Sequence, residues 1–143
     1  MPDLPEVREL LPHRGRFLLV DKLLTMEGDR VEAVGHFTEE MVEGHFPGQP
    51  IVPGVLLLEA LAQTMCCAHL SRPELHGGTP FLAGFEKVRF RAPVIPPATV
   101  HYRVTLKEER FGLFRATGEA WCNDVRVVSA KLTGAMMPPE SAP

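Results

Sequence analysis

Glu59 places a carboxylate inside the longest apolar run of the chain, Val55 to Leu70. A charge among leucines is costly unless it is paired, protonated or used. Gln63 follows one helical turn later, on the same face. Two readings stand: Glu59 lies on a solvent edge or merely bonds Gln63, or a carboxyl group held partly from water donates a proton near neutral pH, as acid catalysis requires. His45 lies upstream, in Gly44-His45-Phe46-Pro47-Gly48-Gln49-Pro50-Ile51-Val52-Pro53-Gly54. The prolines of that segment restrict φ and its glycines permit tight turns, so it can hold an imidazole rigidly as a base, although a loop histidine is also a common bystander. Gly54 opens the apolar run, and the first N–H groups of a helix have no intrahelical partner and point toward negative charge. A base, an acid and a helix N-terminus so close in sequence fit proton abstraction next to a carbonyl, but spacing alone does not separate that from hydrolysis. His13, His36, His69, His76 and His101 have no comparable context and read as structural or surface residues.

The elements that must position these groups follow from the pattern. Leu4 to Leu11 predicts a short helix ended by Pro12, and Arg16 to Met26, carrying Phe17-Leu18-Leu19-Val20, predicts a strand. Gly28-Asp29 is a turn, after which Arg30 to Phe37 alternates as a second strand and closes a hairpin. Thr38 to Pro53 is irregular, and ordered loops of that length are commonly functional. Gly54 to Leu70 is a helix with Pro53 at its start and Arg72-Pro73 and Gly77-Gly78 at its exit. Four further strands are expected, Phe81 to Phe90, Thr99 to Glu109, Gly112 to Asn123 and Val125 to Met136, with Asn123-Asp124 as a tight hairpin turn. The tail from Pro138 to Pro143 should fray. The result is an α+β architecture, an antiparallel sheet of about six strands around a central apolar helix. Because that helix is apolar nearly all round, one sheet face cannot be its only apolar neighbour, and a second subunit is expected to supply the missing cover.

Bulk properties remove whole classes of function. The 143 residues suit one domain, 1–143, with hydrophobic and charged fractions of 45% and 23% that are ordinary for a globular protein. A net charge of −3 offers no basic footprint for nucleic acid. The apolar run is broken by Glu59 and Gln63 and falls short of the ~20 residues of a membrane span. The start, Met1-Pro2-Asp3-Leu4-Pro5-Glu6, lacks the features of a secretory signal, so a cytoplasmic location is expected. Three cysteines, Cys66, Cys67 and Cys122, form neither a disulfide framework nor a Cys-x-x-Cys metal site and read as small buried hydrophobes. The usual zinc-protease, serine-hydrolase and P-loop motifs are missing.

Taken together, the segments Leu11-Pro12-His13-Arg14, Phe17-Leu18-Leu19-Val20-Asp21, Gly44-His45-Phe46-Pro47-Gly48-Gln49-Pro50, Pro53-Gly54-Val55-Leu56, Leu58-Glu59-Ala60-Leu61-Ala62-Gln63, Ala83-Gly84-Phe85 and Arg89-Phe90-Arg91-Ala92-Pro93-Val94 resemble the 3-hydroxyacyl-[acyl-carrier-protein] dehydratases. The likeness is to the non-isomerising, FabZ-like branch with the hot-dog fold, and it runs over nearly the whole chain. It implies removal of water from a (3R)-3-hydroxyacyl thioester on acyl carrier protein to give the trans-2-enoyl thioester, in bacterial type II fatty-acid synthesis. It implies His45 and Glu59 as the catalytic pair, sites shared across a homodimer so that His45 of one subunit faces Glu59 of the other, further assembly into hexamers, and no metal or redox cofactor. Within this reading the Gly54 N–H is the candidate donor to the thioester carbonyl. Phe46, Gln63, Phe81 and Phe85 are candidates for the wall of an acyl tunnel, with ordinary core packing the alternative for both Phe81 and Phe85. Lys87, Arg89 and Arg91 alternate on one strand face and could dock an acidic carrier, or be a merely solvated face.

Two places depart from the family pattern: Gly15-Arg16 replaces an aromatic-proline pair, and Pro96-Pro97-Ala98 replaces a Pro-Gly-Asp turn, where Pro97 excludes positive φ. The rivals are the isomerising branch, which typically carries aspartate in place of Glu59, a hot-dog thioesterase, and a non-catalytic acyl-binding subunit.

Overall fold

The computed structural model describes residues 3–137, so the tail expected to fray from Pro138 lies outside the described residues. In chain order the elements are α1 (Val7–Leu10), β1 (Lys22–Glu27), β2 (Arg30–Phe37), α2 (Gly54–Leu70), β3 (Thr79–Phe90), β4 (Ala98–Leu106), β5 (Leu113–Cys122) and β6 (Val125–Met137), with single 3-10 turns at Gly15–Phe17 and Glu40–Val42. The strands form one antiparallel sheet in the order β1-β2-β4-β5-β6-β3, and α2 packs against β2, β4, β5 and β6. Local chemistry explains the joints. Asn123 and Asp124 both adopt positive φ (50° and 63°), the backbone of a two-residue hairpin whose twist matches its strands, and Cys122 and Val125 pair directly across it.

The first strand begins later than its sequence suggests. Phe17-Leu18-Leu19-Val20 is apolar enough for a strand, but much of its backbone bonding goes elsewhere: the Leu19 N–H donates to Gln63 Oε1 at 2.9 Å and the Phe17 carbonyl accepts from Gln63 Nε2 at 2.6 Å. The Leu19 carbonyl in turn accepts from the buried Tyr102 hydroxyl at 3.0 Å. Gly35 makes room for this crossing, since a Cβ there would strike both the Leu19 carbonyl oxygen and the Tyr102 hydroxyl.

The helix is covered differently from expectation. From Leu57 to Leu70 every residue except Glu59 is buried by the chain's own atoms. The face turned from the sheet meets α1 and the segment after it, whose Val7, Leu10, Leu11, Leu19 and Val20 belong to the same core cluster. The N-terminal segment therefore supplies the apolar cover that a second subunit was expected to provide. Exposed apolar positions include Val55 at the helix N-terminus and, on the outer strand β3, Phe81, Leu82 and Phe90, which are 48%, 44% and 56% accessible.

Candidate active site

His45 sits in the turn-rich loop between β2 and α2. Its backbone N–H donates to the Val42 carbonyl at 3.0 Å, the following Phe46 adopts φ 59°, and the Gln49 N–H closes back on the Phe46 carbonyl at 2.8 Å. The ring is held by Nδ1, 2.7 Å from the Ile51 carbonyl oxygen. A carbonyl only accepts, so Nδ1 must carry the hydrogen, which leaves a lone pair on Nε2 in the neutral ring. That is the tautomer of a general base, and it is oriented by backbone rather than by another titratable group. Phe46 stacks beside the imidazole, ring centroids 4.2 Å apart, and is otherwise exposed. Both line an open depression of about 680 Å³ with Glu39, Gly44, Pro47 and Pro50.

Gly54 begins α2 three residues after the carbonyl that holds His45, and helix geometry leaves its N–H without an intrahelical acceptor. The Phe90 ring lies directly over it: a Cβ at residue 54 would come within 2.5 Å of that ring. Only glycine fits beneath that ring. The neighbouring pocket, about 460 Å³, is largely apolar and lined by Ile51, Val55, Phe90, Pro93 and Val94 among others.

Glu59 projects from the same helix into a separate cleft with His13, Gln63, Cys66, Pro80, Phe81 and Leu82. Its side chain is one-third exposed. Oε2 accepts from Gln63 Nε2 at 2.8 Å, and Gln63 is itself only 1% exposed and tied to Phe17 and Leu19. The carboxylate is thus braced by a side chain anchored on another segment. Gln63→Leu, which keeps the volume but removes these partners, should leave the buried Leu19 N–H unpaired and cost about 2 kcal/mol or more, read from urea unfolding. Cys66, beside the carboxylate, has its thiol pushed up to about 12, by burial first and by the Glu59 charge second.

His45 and Glu59 line different clefts, and no hydrogen bond joins them within the chain. The Glu59 cleft encloses about 50 Å³. At roughly 30 Å³ per water it holds one or two waters and no acyl chain, so the single chain encloses no tunnel there. Of the aromatic candidates, Phe81 lines the Glu59 cleft while Phe85 packs against the core. The basic strand also differs from its expected pattern. β3 shifts register between Glu86 and Arg89, with Lys87 at φ 50°, so Lys87, Arg89 and Arg91 do not alternate simply on one face. All three are exposed; Arg89 pairs with Ser129 and Arg91 Nη2 reaches Ser129 Oγ at 3.3 Å. Sequence reasoning missed His13, whose Nε2 lies 3.6 Å from Glu59 Oε2. Its place in the family-like segment Leu11-Pro12-His13-Arg14 is a local signal, but its closeness to Glu59 exists only once α2 has packed under the N-terminal segment.

Comparison with known proteins bears directly on this arrangement. Residues 11–131 match the FabA-like domain. The 3-hydroxyacyl-[acyl-carrier-protein] dehydratase FabZ of Roseiflexus sp. (strain RS-1) is 40% identical over 142 residues, covering 95% of this chain and 97% of that protein. The chain belongs to the FabZ dehydratase family. The FabZ proteins of Symbiobacterium thermophilum and Enterococcus faecalis are 42% and 41% identical, each alignment covering 90% of this chain and 93% of the relative. Among solved structures, the dehydratase heterocomplex ApeI:P from Xenorhabdus doucetiae superposes with a TM-score of 0.79, covering 96% of this chain and 94% of that one. At 16% identity that likeness speaks for the fold alone, and with the six-stranded sheet around α2 it makes this FabZ-family chain an α+β hot-dog protein. Among the described residues no helix is long and apolar enough to cross a membrane.

Proposed function

We propose that this chain dehydrates (3R)-3-hydroxyacyl-acyl-carrier-protein to the trans-2-enoyl thioester in type II fatty-acid synthesis, as a single hot-dog domain acting in the cytoplasm. The observation that carries the reading is the His45 ring, tied at Nδ1 to the Ile51 carbonyl with Nε2 free, inside a chain that matches FabZ proteins over nearly its full length. Nε2 removes a proton from C2 of the substrate. The negative charge that develops on the thioester oxygen is met by the Gly54 N–H and the positive end of the α2 dipole. The C3–O bond then breaks, and the departing hydroxyl takes a proton from Glu59 or from the imidazolium at His45 and leaves as water. Water is lost with no change of redox state, so the reaction calls for no redox cofactor.

The site is assembled between two subunits, His45 of one facing Glu59 of the other. This reading is supported by the separation of the two groups within one chain and by the outer strand β3, whose far edge pairs with no strand among the described residues and which exposes Phe81 and Leu82 at the Glu59 cleft and Phe90 beside Gly54. An apolar strand edge is a template for pairing with a second copy. The acyl chain would run between the subunits along Phe81, Gln63 and Phe46. The carrier would dock near Lys87, Arg89 and Arg91, and dimers would assemble into hexamers.

The test is turnover of a crotonyl thioester on acyl carrier protein, followed by mass spectrometry. Reversible gain of one water with the thioester intact is expected. Release of free acid and carrier thiol would instead make the chain a thioesterase, and binding without turnover would make it an acyl-binding subunit.

A further inference from the structure

The Glu59 carboxylate has a second neighbour that the proposed reaction leaves unused. His13, in the loop after α1, places Nε2 3.6 Å from Glu59 Oε2, just beyond hydrogen-bond reach. Both side chains line the same small cleft, together with Gln63 and Cys66 from α2 and the apolar Phe81 and Leu82 from β3. The other ring nitrogen, Nδ1, is buried and has no hydrogen-bond partner. That arrangement selects a tautomer. With the hydrogen on Nδ1, a buried donor would go unpaired and two lone pairs would face each other across the cleft. With the hydrogen on Nε2, the ring points an N–H at the carboxylate and leaves only an acceptor unpaired, the smaller penalty.

The surroundings keep the ring in that neutral, donating form. Desolvation lowers the pKa of His13 from its usual value, the Glu59 charge partly offsets this, and the nearby Arg14 adds to the lowering. Arg14 does not compete for Glu59, because its guanidinium is turned to the carbonyls of Leu11, His13 and Arg8.

We propose that His13 is a positioning residue for the dehydration, its Nε2–H converging with the Gln63 amide on Glu59 Oε2 so that Oε1 alone is presented to the substrate. Hydrogen bonds of this kind are commonly long in an empty site and tighten around bound substrate. The inference rests on the function proposed above. It gives His13 the task of orienting the acid without carrying a proton itself.

The experiment compares crotonyl-thioester hydration by the full-length wild type with His13→Ala, His13→Gln and His13→Asn. A glutamine amide nitrogen can reach roughly where Nε2 lies; an asparagine amide reaches only as far as Nδ1. The expected result is a kcat lowered about tenfold or more in the Ala and Asn variants with KM little changed, and recovery of most of that loss in the Gln variant, within the range general acid catalysis supplies. Thermal unfolding of each variant separates this from a folding defect, since a packing role would make activity follow Tm instead of the reach of the amide. Equal kcat in all four proteins, or losses in Gln and Asn alike, would overturn the proposal. A wild type that hydrates no crotonyl thioester would overturn the function it rests on, a failure visible before any variant is made.

Discussion

His45→Ala is expected to lower kcat/KM for crotonyl-thioester hydration by about 10²–10⁴-fold, or about 3–5 kcal/mol of transition-state stabilisation, while the protein stays folded. The size of the effect follows from the position of the ring. Its Nε2 lone pair faces outward because the backbone carbonyl of Ile51, not a titratable side chain, holds Nδ1 and fixes the tautomer. The stability cost should be small by comparison, since the mutation removes one side-chain hydrogen bond worth about 1 kcal/mol from a half-exposed loop. The pair of measurements that checks this is kcat/KM by product formation and the unfolding midpoint in urea. Turnover unchanged by the mutation would remove His45 from the mechanism and revive the acyl-binding reading.

Glu59→Gln is expected to be nearly as damaging to kcat, by about 10²–10³-fold, and to leave KM close to its original value. The substitution is close to isosteric and its amide oxygen still accepts from Gln63, so the brace seen at 2.8 Å survives while proton delivery is lost. The two variants together also test the shared site. In a dimer that pairs His45 of one subunit with Glu59 of the other, a mixed dimer of the two inactive chains contains one intact site and one doubly altered site. Random reassociation of equal amounts should restore about one quarter of wild-type activity, because about half the dimers are mixed and each has one working site of two. Sites wholly within one chain would give no recovery at all.

Much of this was legible in the sequence, for reasons that differ by element. The central helix could be bounded at Gly54 and Leu70 because Pro53 and the Arg72-Pro73 exit are local signals, and the β5–β6 turn could be read from Asn123-Asp124 because those residues tolerate positive φ. The segment Phe17 to Val20 misled because its apolar side chains say nothing about where its backbone bonds go, and Gln63 on a distant helix claims two of them. Lys87 misled because the bulge that breaks the strand's alternation depends on how β3 is paired to β6. The catalytic loop and helix were readable through their resemblance to a family, since residue types alone left hydrolysis open. The approach of His13 to Glu59 was invisible, although the segment Leu11-Pro12-His13-Arg14 carried part of the resemblance, because it is a tertiary contact between residues far apart in the chain.

The thiol of Cys66 bears on which reaction the cleft supports. A thioester is the natural electrophile for a cysteine, and transfer of the acyl group to Cys66 would trap the substrate as a covalent dead end. Attack requires the thiolate, and burial first and the Glu59 charge second push the thiol well up, so it stays protonated at neutral pH. Burial, helped by the Glu59 charge whenever that group is ionised, thus silences the nearest nucleophile, so a cleft that contains sulfur can handle activated acyl groups without being acylated.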